Sequence, residues 1–229
     1  MLVEEASLAG TIDTVNVCMA EGEPLLPAER EEVVEWLLVR QVVSGRNSGM
    51  FTPFPGEYKA GVHLFTGERL RTRIAARNVL TLEAARILSA LAGTRADVRN
   101  ALSRTSMAMG HACFAVSHCV IGECAHSSIA FMRSAASDRS GDHRKWIEDH
   151  LHVIREHRGG KGRWRRFPFY YTLLALLEVG TPSANAELMY ARPACDRVIG
   201  RSSCSSFSPR RKRILERVLE RDPALLDPF

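Results

Sequence analysis

The segment FPFYYTLLALLEVG, residues 167–180, carries apolar residues on nearly every side of a helix. Such a helix has no face to turn to water, so other helices must wrap it. It is the longest apolar run in the chain and falls short of the roughly 20 residues that cross a bilayer. No membrane span is expected. A helical core has to form around this segment, which is expected to be the central helix of the C-terminal half.

The rest of the chain is punctuated as helices joined by short turns. Pro27 stands at a first helical position before AEREEVVEWLLVRQVV, and Glu29, Glu31 and Glu32 suit the positive end of that helix dipole. SGRNSGMFTPFPGEYKAG holds four glycines and two prolines and reads as a long loop. Thr66, Thr81 and Thr94 each precede a helical pattern and are expected to start helices. Gly122 interrupts the next run. Asp142 is placed to cap HRKWIEDHLHVIREHR, which stops at Gly159-Gly160. Thr181-Pro182 opens a helix that Pro193 is expected to kink or end, and Ser208-Pro209 opens the last one.

This punctuation predicts an all-α protein of eight or nine antiparallel helices, either a helical-repeat bundle or an α/α-toroid-like array. TIDTVNVCM is a weak strand candidate. Residues 27–229 are expected to form a single helical domain, with residues 1–26 as an N-terminal extension. LAGTRADVRNAL and EVGTPSANAELM share helix–Gly-Thr–helix spacing, either a repeat or merely the same turn grammar.

A length of 229 residues suits one domain, and the hydrophobic and charged fractions of 45% and 25% are ordinary for a globular chain. The N-terminus lacks a basic region followed by an apolar run, so a cytoplasmic protein is expected. Its six cysteines are then reduced thiols or metal ligands rather than disulfides.

Half of those cysteines crowd into HACFAVSHCVIGECAH, residues 111–126. On one continuous helix no single face would gather four ligands. If the chain turns at Gly122, Cys119 and Cys124 sit on the shoulders of the turn and His126 just inside the second helix. Cys119, Cys124 and His126 then form a candidate metal set. Cys113, His118 or His150 could be the fourth ligand. Thiolate and imidazole suit zinc, and three cysteines alternatively suit an iron–sulfur cluster. The plainer alternative is small thiols filling a tight helix contact. A catalytic thiol is a third.

The following helix carries His143, His150 and His157 seven residues apart, on the arc that also bears Trp146, Ile147, Leu151 and Ile154. Seven residues rise about 10.5 Å, so the three cannot share an ion, and each must find its own partner. One of them is expected either to meet the Cys/His stretch or to line a cleft as an acid or base. The alternative is three satisfied core imidazoles.

REHRGGKGRWRRF, residues 155–167, sets six Lys or Arg against one Glu. Lys161, Arg163, Arg165 and Arg166, with Trp164 as a stacking surface, are the candidate anion-binding residues, for nucleic acid or a phosphate-bearing ligand. The alternative is a solvated loop whose Trp164 folds back onto the core.

WIEDHLHVIREHRGGKGRWRRFPFYYTLLALLEVG, residues 146–180, resembles a repeat of the α/α-toroid family of terpenoid cyclases and protein prenyltransferases. There, an outer helix leads through a Gly-rich turn bearing an aromatic to an apolar inner helix. The resemblance implies a helix-pair architecture and an isoprenoid in an apolar groove beside Phe169, Tyr170 and Tyr171. No Asp-x-Asp-Asp acid is present, so no catalytic residue carries over. The leading functional expectation is a helical-repeat protein binding an anionic partner. A metalloprotein or metalloenzyme built on Cys113, Cys119, Cys124 and His126 is the rival.

Overall fold

The computed structural model describes residues 2–22, 24–138, 142–200 and 205–221. Among them are eleven helices and one two-stranded antiparallel ribbon, so the fold is all-α. The first half comprises α1 (Leu8–Glu21), α2 (Pro27–Arg40), α3 (Pro55–Ala60), α4 (Arg73–Ala92), α5 (Ala96–Met109) and α6 (Cys113–Val116). The second comprises α7 (Cys124–Ser137), α8 (Arg144–Glu156), α9 (Phe169–Val179), α10 (Pro182–Ile199) and α11 (Ser208–Leu219). Strands β1 (Val62–His63) and β2 (Arg69–Leu70) pair Val62 with Leu70 and His63 with Arg69.

Local chemistry sets the helix ends. Ser7, Thr72 and Thr181 accept the backbone N–H groups of Gly10, Ala75 and Ala184 at the starts of α1, α4 and α10. Glu29 accepts the Leu26 N–H at the start of α2. Gly180 closes α9 in the left-handed region, with φ 65°, which glycine adopts without a Cβ clash.

Three helices form the centre. α9 is buried along almost its whole length and packs against α7, α10 and α11, as its all-round apolar character requires. α4 is equally enclosed: Val79 to Leu88 are all buried, among α7, α5, α1 and α2. α7 lies between them. The polar residues that this burial traps satisfy one another. Glu83 of α4 takes Arg86 Nε at 3.1 Å, Asn16 Nδ2 at 3.3 Å, the Arg133 guanidinium and the Tyr171 hydroxyl. Arg133 also forks onto Glu178, at 2.7 and 2.8 Å. Burial alone would raise the Glu83 carboxyl pKa, but the Arg133 and Arg86 charges and the Tyr171 hydrogen bond hold it at about 2.

Several expectations are corrected. TIDTVNVCM lies in α1 rather than in a strand. Residues 1–26, expected as an extension, thus include a helix whose Leu8, Ile12 and Val15 join the common core. The expected long loop contains α3 and ends at the ribbon. Thr72, not Thr66, caps α4. Thr81 sits mid-helix, where its hydroxyl accepts the Phe51 N–H at 3.0 Å and donates to the Phe51 carbonyl at 3.2 Å. Arg95, not Thr94, stands at the start of α5, whereas Thr181 caps α10, so the two Gly-Thr turns are built differently. α10 runs through Pro193 to Ile199, with Ala191, Ala194 and Cys195 holding its far half in the core. No described helix is long and apolar enough to cross a membrane.

Candidate metal centre

The chain between α5 and α7 reverses at two left-handed residues, His118 (φ 49°) and Gly122 (φ 54°). A Cβ on Gly122 would meet nothing within 4 Å, so glycine is favoured there for its backbone conformation and not for space. The turn is pinned from both sides. Cys119 N–H and Ser117 N–H donate to the Cys113 carbonyl at 3.3 and 2.9 Å. Glu123 accepts the backbone N–H groups of Arg71 and Thr72 at 2.5 and 2.8 Å, which ties the turn to the start of α4.

This fixed turn gathers three thiols. The Sγ atoms of Cys113, Cys119 and Cys124 all lie within 4.8 Å of one another, and Cys113 and Cys124 are 3.7 Å apart. Cys113 is exposed, and the other two are half-buried. Thiolates on a tetrahedral zinc, with Zn–S about 2.3 Å, stand about 3.8 Å apart. In a 4Fe–4S cluster each cysteine binds a different iron, which spreads the thiolates around the cluster, and in a 2Fe–2S cluster no more than two share an iron. Sulfurs this close suit a single ion instead.

The thiols differ in acidity. A hydrogen bond from the Ile121 backbone, helped by the Cys113 and Cys124 thiols, holds Cys119 below the ordinary thiol range. Burial, followed by the neighbouring Cys113 and Cys119, pushes Cys124 up to about 12. Cys119 is thus the more acidic of the two and Cys124 the less.

His126 does not belong to this set. It follows Cys124 by two residues, about 200° round the helix, so the two side chains leave α7 on different sides. Its ring is largely buried, with no partner on Nδ1, and burial lowers its pKa.

His118 is also turned away. Its ring stacks on Trp146 and His150, with centroids 4.8 and 5.3 Å away, and its Nδ1 lies 3.3 Å from His150 Nδ1. Trp146 Nε1 donates to the Ala115 carbonyl at 2.6 Å, anchoring α8 to α6. His150 is fully buried, and burial followed by the neighbouring His118 pushes its pKa down to about 3. The other two histidines of the seven-residue series have their own partners: His143 pairs with Asp138 at 3.0 Å, and His157 Nδ1 meets the Val153 carbonyl at 2.9 Å.

The basic loop is built differently from the expected stacking platform. Trp164 is 5% exposed, and its Nε1 donates to Glu187 Oε2 at 3.0 Å. Glu187, fully buried, also takes Arg155 at 3.2 Å and Arg158 at 2.9 Å. Trp164 is therefore a core residue that satisfies a buried carboxylate, and it offers no ring to a base. Lys161, Arg163, Arg165 and Arg166 remain exposed, and among the described residues none pairs with a carboxylate. The Arg163 guanidinium lies over the Phe169 ring. Phe169 and Tyr171 are buried, and Tyr170 lies half-buried under Arg211, so protein already covers the rings expected to border an isoprenoid groove.

Comparison with family models, curated proteins and solved structures gives no match to this chain. Sequence reasoning found the turn at Gly122 and its thiols. It missed Glu123, because a carboxylate that binds backbone N–H groups 51 and 52 residues away leaves no local pattern.

Proposed function

We propose that this protein binds one thiophilic d10 cation, zinc foremost, through Cys113, Cys119 and Cys124. The observation that carries the reading is the mutual approach of the three sulfurs within 4.8 Å, on a turn fixed by backbone hydrogen bonds and by Glu123. Soft thiolate donors select zinc or copper(I) over magnesium and calcium. Binding would displace the thiol protons, so affinity should rise with pH. The test is a zinc titration of reduced, metal-free protein against a chromophoric chelator. About one equivalent is expected for the native chain, with affinity down roughly 100-fold or more in Cys119→Ser. Failure of the native chain to compete would end the reading.

A second reading rests on a separate observation, the four exposed cations of the 161–166 loop, none of which pairs with a carboxylate among the described residues. They suit the phosphates of a polyanion, with the buried Trp164 removing base stacking from the interaction. Four phosphate contacts predict a log–log salt slope of roughly −3 for a single-stranded oligonucleotide. Binding that ignores salt, or that survives Arg165→Ala with Arg166→Ala, would count against it.

A further inference from the structure

The three thiols supply three of the four bonds that a tetrahedral d10 cation makes. Among the described residues, three side chains near the thiols that could supply the fourth are turned to other contacts or lie outside the set. The His118 ring packs against Trp146 and His150, which also stack on each other, and its Nδ1 lies 3.3 Å from His150 Nδ1. His126 leaves α7 on another side and lies outside the converging set. The Glu123 carboxylate is taken up by the Arg71 and Thr72 N–H groups.

The sulfurs also stand at the surface. Cys113 is exposed and Cys119 and Cys124 are half-buried, while Val116 at the end of α6 and Ile121 in the turn are 66% and 74% exposed although both are apolar. A structural zinc site is closed by four protein ligands, whereas a site with three leaves a position for a ligand from solution.

Resting on the metal reading above, we infer that the fourth position belongs to an exogenous small thiol. Three sulfurs make the ion a soft acceptor, which favours a fourth soft donor. The thiol would bind as thiolate: its S–H proton passes to solvent, a metal–sulfur bond forms and a bound water leaves.

The full chain loaded anaerobically with cobalt(II) and titrated with 2-mercaptoethanol tests this. The sulfur-to-cobalt charge-transfer band should grow by about one third, as a fourth thiolate joins three, while cobalt stays bound. His118→Asn, which keeps a residue tolerant of the left-handed backbone at that turn, should respond in the same way. Cobalt that loads to one equivalent but gives a spectrum indifferent to thiol would overturn the inference and leave the metal reading standing. A response appearing only in His118→Asn, or loss of cobalt to the free thiol, would also overturn it. No cobalt spectrum at all would overturn the metal reading and the inference together.

Discussion

His118 Nδ1 and His150 Nδ1 lie 3.3 Å apart, so one neutral imidazole donates to the other, and the pair cannot both be protonated. The pair joins the thiol-bearing turn to the middle of α8. His150 is fully buried, and its Nε2 has no partner. A proton added to His150 would place a charge among Trp146, Phe167 and the other imidazole, whereas His118 also faces Asp149 and Lys145.

Acid should therefore unfold the protein early. His150 takes a proton near its ordinary 6.5 when unfolded but only near 3 when folded. Between those values the unfolded chain binds more protons, so stability falls as pH is lowered. The loss is roughly 1.4 kcal/mol per pH unit. The lowered values of His118 and His126 act in the same direction. Urea unfolding at pH 7, 6 and 5 should show the decline, and His150→Phe should reduce its slope. A native curve that is flat over this range would contradict the argument.

The buried network around Glu83 predicts a large and asymmetric response. Arg133→Met removes the charge that faces both Glu83 and Glu178, leaving Glu83 buried beside Arg86 alone. A loss of about 3–5 kcal/mol is expected from denaturant midpoints. Acid should weaken the same network. Because the folded Glu83 pKa is depressed, its stabilisation is present above about 4.5 and is lost as pH falls towards 2. Arg133→Met should shrink that loss, and an unchanged acid limb would refute the assignment.

The contrast between α9 and α4 shows how far the sequence was legible. α9 announces its burial, because nothing in FYYTLLALLEV needs water. α4 is buried as deeply but carries Thr81, Glu83 and Arg86, which read as a solvent face or a helix start until their partners are known. Those partners, Phe51, Asn16, Arg133 and Tyr171, stand 30 to 88 residues away, and no local pattern encodes such pairing. The candidate site divides in the same way. Gly122 and three closely spaced cysteines marked the turn, whereas the angular separation of His126 from Cys124 needed the true start of α7.

The basic loop offers a test that separates packing from binding. Glu187→Ala should cost about 2 kcal/mol, because it strands the Trp164 indole and leaves a polar hole in the core. Arg165→Ala and Arg166→Ala, on exposed side chains, should move the unfolding midpoint by less than about 0.5 kcal/mol each. If Arg165 or Arg166 proved as costly as Glu187, the loop would be held by contacts other than those at Glu187.

Zinc should stabilise the fold through the turn it would close. A ligand at about 100 times its Kd adds about 2.7 kcal/mol to the folded state. In a chain of this length that corresponds to a rise of roughly 5–10 °C in Tm. Excess chelator should reverse the rise, and a variant with Cys113, Cys119 and Cys124 all changed to Ser should not show it. Glu123→Ala keeps every sulfur but frees the turn from Arg71 and Thr72. It should therefore weaken zinc roughly 10-fold by loosening the sulfur spacing, as loss of an outer-shell partner does. An equal thermal shift in the triple-Ser variant would place zinc elsewhere on the chain. A Glu123→Ala affinity equal to native would mean that the thiols hold their spacing without the tie to α4.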